Sequence, residues 1–361
     1  MVLPTDGGTV VEAPSQKLVQ RLLRESLVLA EDWDALPPRV QRRVVEAREE
    51  AQALEQLVKH GLLTPYQGGR IVDGTTFGLV LGSYRVLERL AAGGMAVVFK
   101  AEHMDLRHHV AVKVLPPTTK EDSALESRFF AEMRIVARLR HPNIVAATDA
   151  GRTASADGNT VLRYLVMEYI AGQDLDAVVR RHGPMSPGRA CAIAYQMASA
   201  LGETHKYGLV HRDIKPSNIM LTGEDQAKLL DFGLTRHFGH RMTVPGTILG
   251  TIDYMAPELL DGENVGPAAD VYGLACLAYE TLTGTVPYLR ETDAATMYAH
   301  IVDPPPSVSE RRPELPVALD VVIAAGMAKD REDRPASAGT LVVDMLGALG
   351  RPAPACLAEA A

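Results

Sequence analysis

The stretch His211-Arg212-Asp213-Ile214-Lys215-Pro216-Ser217-Asn218, followed by Asp231-Phe232-Gly233, constrains this chain more than any other. Asp213, Lys215, Asn218 and Asp231 lie between apolar runs: Val210 before them, Ile219-Met220-Leu221 in the middle, Leu229-Leu230 ahead of Asp231. Two short strands joined by the turn Thr222-Gly223-Glu224-Asp225 would set Asn218 and Asp231 side by side. Two metal-binding side chains, a carboxylate base and an ammonium then face one cleft. That grouping suits the movement of a phosphoryl group, where catalysis is mostly positioning and charge neutralisation.

A chain of 361 residues accommodates two lobes and an accessory module. With a net charge of −8 and no basic run, it offers no electrostatic footprint for nucleic acid or a polybasic membrane anchor. No apolar run approaches the ~18 residues of a membrane span. The first residues, Met1-Val-Leu-Pro-Thr-Asp, lack the basic and apolar regions of a signal peptide. Cys191, Cys276 and Cys356 lie far apart with no metal-like pairing, and the first two sit in apolar helical patterns. The expectation is a cytoplasmic protein with reduced, buried thiols.

Residues 1–14 are rich in Gly, Thr and Pro and read as disordered. Apolar positions Leu18, Leu22 and Leu29 predict a helix capped by Ser15 and broken at Pro37-Pro38. A second helix carries Val40, Val44, Ala47, Ala51, Leu54 and Val58 on one stripe and stops at Gly61. Thr64-Pro65 predicts the cap and first position of a third, ending before Gly74. Residues 15–78 thus form a small helical module, with Trp33 as a packing anchor. It is marginal alone, and recruitment of a regulatory partner is the function expected of it.

Three Val- and Leu-rich runs follow at 84–90, 97–102 and 109–115, then an amphipathic helix over 120–139 and two strands over 144–150 and 161–168. A helix over 186–205 precedes the catalytic stretch. Residues 231–258 read as a long loop without apolar periodicity, and 267–283 as a helix apolar nearly all round, hence buried. Further helices are expected over 293–302, 316–328 and 337–348, and a frayed tail over 350–361.

His211-Arg212-Asp213 with Asn218, Asp231-Phe232-Gly233, Ala256-Pro257-Glu258 and the upstream Val110-Ala111-Val112-Lys113 resemble the catalytic-loop, metal-loop, substrate-loop and lysine-strand signatures of the protein kinases. The resemblance covers 82–349. Lys215, two positions after Asp213, is similar to the bacterial eukaryotic-like (Hanks-type) serine/threonine branch. It implies an α+β, two-lobed protein kinase fold: a β-rich N-lobe and a helical C-lobe, preceded here by the helical module. It also implies use of ATP and Mg2+, with transfer of the γ-phosphate to Ser or Thr hydroxyls of protein substrates.

Residue by residue, the resemblance makes Asp213 the base or orienting group for the hydroxyl and Lys215 the partner of the γ-phosphate. Asn218 and Asp231 become magnesium ligands, and Thr251 a selector of Ser/Thr acceptors through Asp213 and Lys215. Lys113 would meet the α- and β-phosphates, held by Glu132. Ala91-Ala92-Gly93-Gly94-Met95-Ala96 with Val97 stands where the family has its glycine-rich phosphate cover. Ala91 and Ala96 replace two glycines there, at an expected cost on the order of 1 kcal/mol wherever φ must be positive. Leu90, Val98, Ala111, Met220 and Leu230 would sandwich adenine, Met167 would guard its pocket, and Glu168 and Ile170 would offer backbone hydrogen bonds. Asp174 would meet the ribose. Asp270 would bind the catalytic-loop backbone, and Glu258 would pair with Arg334. Thr243 and Thr247 are candidates for activating autophosphorylation, with Arg212 as the side chain that captures the phosphothreonine. His211 and Phe232 read as packing residues, His205 as a surface or packing residue. The altered phosphate cover leaves open a pseudokinase or nucleotide-binding scaffold, and the module leaves open an adaptor.

Overall fold

A computed structural model describes residues 13–93, 96–115, 136–155, 158–230, 252–261 and 265–352. Its chain divides into two compact units, Met1–Ser123 with Thr148–Tyr169, and Ala124–Ala147 with Ile170–Ala361.

The first unit carries a six-stranded sheet of order β1-β2-β3-β4-β6-β5. Its strands are β1 (Val80–Leu81), β2 (Tyr84–Ala92), β3 (Val97–His103), β4 (His109–Val114), β5 (Ala147–Ala154) and β6 (Val161–Glu168). All pairings from β1 to β4, and from β4 to β6, are antiparallel. β-Branched residues dominate β4, whose Val110, Ala111, Val112, Lys113 and Val114 are all buried, as befits a central strand. Val86, Ala101, Val112 and Val166 fill one face of the sheet with Tyr84 and Tyr164.

Five helices precede the sheet: α1 (Pro14–Arg24), α2 (Ala30–Asp34), α3 (Pro38–Val45), α4 (Glu50–Lys59) and α5 (Pro65–Val72). The expected first helix is shorter than its apolar pattern, because Ser26 turns into the left-handed region at φ 55° and α2 restarts the chain. Ser15 is no cap: Ala13 occupies that position, and the buried Ser15 hydroxyl donates to Ala47 O at 2.7 Å. The second expected helix is two, since the chain leaves helical geometry at Glu46 and resumes after Glu49. The first half turns Val40 and Val44 inward as expected, whereas the break shifts the register of the second: Ala51 is exposed, and Ala53, Leu54 and Leu57 are the buried face of α4. Gly61, at φ 76°, ends α4 as expected. Leu18, Leu22, Leu27, Val44, Leu57 and Leu63 form the module's core, with Trp33 packed at its margin.

This module is fastened to the sheet of its own unit by charge as well as by packing. Arg85 on β2, only 5% exposed, donates to Leu27 O at 3.1 Å and to Glu102 at 2.7 Å. Arg107 reaches Asp32 at 2.8 Å and Glu31 at 3.4 Å.

In the second unit, β7 (Gln173–Asp174), β8 (Ile219–Leu221) and β9 (Ala227–Leu229) form a small antiparallel sheet. Helix Ala268–Thr283 is buried along nearly its whole circumference, as its continuous apolar sequence requires. Helices Pro187–Lys206, Val317–Gly326 and Ala338–Ala348 pack around it. Gly273 permits one close approach: a Cβ there would lie 3.0 Å from Ile214 Cβ, so a side chain would push the central helix off the catalytic stretch. The helix expected over 120–139 falls outside the described residues except for its end, where Val136 and Leu139 are buried.

Candidate active site

Residues 211–218 are presented by two supports. Asp270, 1% exposed near the start of the central helix, accepts the backbone N–H of His211 and of Arg212, each at 2.8 Å. Arg212 sits at φ 66°, an unfavourable conformation for a side chain that size, held by that pair of bonds. His205 Nε2 lies 2.8 Å from the same Asp270 Oδ2. The sequence assigned His205 only a surface or packing role. It braces the carboxylate that shapes the loop, and its helical register beneath the catalytic stretch was the available signal.

The second support is His211, fully buried. Its Nε2 faces Leu230 O at 2.8 Å and must carry the proton, since a carbonyl only accepts. Nδ1 is then the acceptor for Asp213 N–H at 3.3 Å. The β8–β9 hairpin closes through the expected turn, with Asp225 at φ 56° and Thr222 N–H on Gln226 O at 3.0 Å. Leu230 N–H donates to Asn218 O at 2.8 Å, extending the ladder one step beyond Ile219 and Leu229.

Asp213, Lys215 and Asn218 converge. Lys215 Nζ lies 2.9 Å from Asp213 Oδ2, and Asn218 Nδ2 donates to the same oxygen at 2.9 Å and to Asp213 O at 2.8 Å. Burial pushes the Asp213 carboxyl up. The Lys215 charge and hydrogen bond, helped by Asn218, outweigh burial and hold the carboxyl below the usual carboxylate range. The Asp213 carboxyl is therefore ionised at neutral pH. With its nitrogen committed to Asp213, the buried Asn218 amide must turn Oδ1 away from that carboxylate. A hard oxygen donor in that position fits Mg2+, which takes few protein ligands and several phosphate or water oxygens.

In the first unit, β2 and β3 meet at Ala91↔Val98 and Ala92↔Val97, and Gly93 N–H donates to Ala96 O at 3.0 Å. Leu90, Ala91 and Ala92 are exposed along this end of β2. At Ala91 the cost expected for alanine in place of glycine does not arise, because its φ is not positive. Ala91 is ordinary extended strand, a conformation open to any residue. Lys113, 7% exposed, pairs across the sheet with Val98 on one side and Leu165 on the other. Ala111 pairs with Met167, and Glu168 ends β6.

Of the remaining candidates, Ile170, Asp174, Met220 and Leu230 lie in the second unit. Asp174 has a task the sequence did not suggest: its carboxylate accepts Ala177 N–H at 2.7 Å and caps helix Leu175–His182. Gly94, Met95, Glu132, Asp231, Phe232, Thr243, Thr247 and Thr251 lie outside the described residues. The substrate-loop signature is anchored as expected. Arg334 binds Glu258 with two nearly parallel hydrogen bonds of 2.7 and 2.8 Å, and both side chains are buried. A contact the sequence did not reveal lies just before that signature: Tyr254 OH donates to Glu280 at 2.6 Å. Burial pushes Glu280 up to about 7, against the opposing Tyr254 bond.

Comparison with known proteins agrees with this geometry. Residues 84–342 match the family model described as the protein kinase domain. Serine/threonine-protein kinase PknH of Mycobacterium bovis is 41% identical over 276 residues, which cover 76% of this chain and 45% of that protein. PknD of Mycobacterium tuberculosis is 40% identical over 270 residues, covering 74% and 40%. The chain therefore spans less than half the length of these curated relatives. Among solved structures, the PknI kinase domain of M. tuberculosis superposes with a TM-score of 0.59 at 30% identity, over 76% of this chain and 98% of that one. Rad53 in complex with AMP-PNP gives 0.58 at 25% identity, over 72% and 64%. With the catalytic loop, the Glu258–Arg334 pair and a family match over most of its length, this chain belongs to the protein kinase family.

Proposed function

We propose that this chain is a serine/threonine protein kinase, transferring the γ-phosphoryl group of ATP to Ser or Thr hydroxyls of protein substrates with Mg2+ as cofactor. One observation carries the reading. Asp213 is kept ionised by Lys215 and fixed by Asn218, on a loop whose strained Arg212 turn is held by Asp270. An ionised, immobilised carboxylate accepts or orients the proton of an incoming hydroxyl. Lys215, already beside that carboxylate, supplies positive charge where a transferring phosphoryl group spreads negative charge over its oxygens. Asn218 Oδ1 would hold the metal, with Asp231 as its expected second ligand. Held there, Mg2+ would supply positive charge to offset the negative charge developing on the phosphate.

Lys113, buried in the central strand, would hold the α- and β-phosphates with Glu132. Val98, Ala111, Met167, Met220 and Leu230 would enclose the base. Thr251 would contact Asp213 and Lys215 and select Ser/Thr acceptors. Autophosphorylation of Thr243 or Thr247, captured by Arg212, would order the loop through charge-assisted bonds. The domain limits we propose are a helical module over 15–78 and a kinase domain over 82–349. A cytoplasmic setting suits the buried free thiols of Cys191 and Cys276. Among the described residues no helix is long and apolar enough to cross a membrane.

The pseudokinase alternative drew on the altered phosphate cover, and Ala91 carries no positive φ. Incubation of the purified chain with Mg2+ and labelled ATP, beside Asp213→Ala, tests the reading. Label on Thr243, Thr247 or an added acceptor protein that disappears in the variant is the expected outcome. Nucleotide binding without transfer to any acceptor would point to the scaffold instead.

A further inference from the structure

The start of helix α5 is a capping box. Gln67 N–H donates to Thr64 Oγ1 at 3.2 Å, and Thr64 N–H to Gln67 Oε1 at 2.8 Å. Both side chains have a second partner beyond the helix. Gln67 Nε2 donates to Val86 O at 2.8 Å, and the Thr64 hydroxyl donates to Leu87 O at 2.5 Å. Gln67 is 1% exposed, so its bond to Val86 O forms out of water's reach, while the Thr64 bond to Leu87 O is partly buried.

Those two carbonyls lie where β2 loses its neighbour. Strand β1 ends the sheet on that side, and its last partner to β2 is Leu79 O, which accepts Val86 N–H at 2.9 Å. The chain then leaves through Gly78 at φ 84°. From Val86 onward the edge of β2 is open, except where Gln67 and Thr64 stand in for a strand. Leu87 is also the point of a bulge. The ladder to β3 runs Val86↔Ala101 and then Glu88↔Lys100, leaving Leu87 without an opposite residue. A bulge bends and twists its strand, so whatever fixes the bulge aims the strand beyond it. Beyond it lie Leu90, where the ladder skips a second residue between Arg89↔Phe99 and Ala91↔Val98, then Ala91, Ala92 and the turn closed by Gly93 and Ala96. Tyr66, between the two tethers, packs on Phe99 of β3 with ring centroids 6.0 Å apart, so both strands of that hairpin are gripped.

We propose that Thr64 and Gln67 are positioning residues for the phosphate-covering turn, so that the helical module sets nucleotide affinity through the β2 bulge. The proposal rests on the kinase reading above, in which that turn covers ATP phosphates. The module acts here as the missing edge strand of the kinase sheet.

The test uses the full chain with Thr64→Val, Thr64→Asp, Thr64→Ser and Gln67→Met. Aspartate keeps the helix cap but offers Leu87 O no donor, which separates tethering from capping. Serine keeps the hydroxyl. Two readouts are taken: hydrogen exchange of amides 88–93 in the nucleotide-free protein, and affinity for a fluorescent ATP analogue with Mg2+, alongside ATP KM and kcat on an acceptor protein. Losing one or two of the tethering hydrogen bonds predicts faster exchange over 88–93, and about tenfold weaker nucleotide binding and higher KM. The valine, aspartate and methionine variants should show this with kcat within about twofold, and serine should match the parent. Unchanged exchange and affinity in Thr64→Asp would overturn the proposal. So would exchange that rises equally throughout β3 and β4, since that is general loosening. A parent that binds nucleotide but transfers nothing defeats the kinase reading alone, because exchange and affinity still judge the tethers.

Discussion

At Asp213, burial and local charge oppose each other, and charge wins. The sign for stability follows from a depressed folded-state pKa. The contribution is present above the unfolded carboxylate value and is lost as pH falls through the lowered folded value. Lys215→Met removes both the charge and the hydrogen bond of that partner, so the carboxyl should titrate higher. In a pH–rate profile the acid limb of kcat/KM should move to higher pH; a limb that stays in place would show that Lys215 does not set the ionisation. Asp213→Asn should lower kcat by about 10^2–10^4-fold while nucleotide binding, read by titration, stays near the parent value. Arg334→Ala strands the buried Glu258 carboxylate and should cost about 3–5 kcal/mol in denaturant unfolding. Arg334→Lys should recover only part, because an ammonium cannot reproduce the two-pronged bond. These roles were legible in residue type and order. The bracing of Asp270 by His205 was not, since it depends on how a helix and a later helix end meet.

Glu280 belongs to the scale of elements. It lies on the central helix, where continuous apolar sequence forecasts burial, yet a carboxylate interrupts it opposite Tyr254. With Glu280 pushed up to about 7 from an ordinary 4.5, the native state binds the proton more tightly than the unfolded one. Its stabilising contribution is therefore full below about pH 4.5 and fades as pH rises through about 7. Denaturant midpoints at pH 5 and pH 8 should fall for the parent and stay nearly level for Glu280→Gln; equal slopes would count against this assignment. The helices of the module show the limit of periodicity. A stripe drawn as one helix across Glu46–Glu49 loses its register where the backbone breaks, so Ala51 falls outside and Ala53 and Leu57 inside.

For the molecule as a whole, the module is continuous with the sheet it precedes. Arg85, Glu102 and Asp32 form a largely buried charge cluster spanning the two, and Leu79 closes both the module's core and the edge of β2. A chain beginning at Val80 loses Asp32, Leu27 O and both tethers to β2. Its thermal unfolding should occur about 5–10 °C lower than that of the full chain, or it should precipitate when expressed. An unchanged melting temperature would mean that the module contributes nothing to the fold it touches.

By itself, the order of residues determined the kinase family, the two-stranded hairpin carrying Asn218, the buried central helix and the Glu258–Arg334 partnership. Each is written in local pattern or in residue types that few other chemistries need. Tertiary structure alone decided that Asp213 is ionised against its burial, and that His205 serves Asp270. It also decided that Ala91 in the phosphate cover is unstrained and that a helix cap reaches the edge of β2. Those outcomes depend on distances between groups remote in sequence, where electrostatic and hydrogen-bond energies change within an ångström and no periodicity records them.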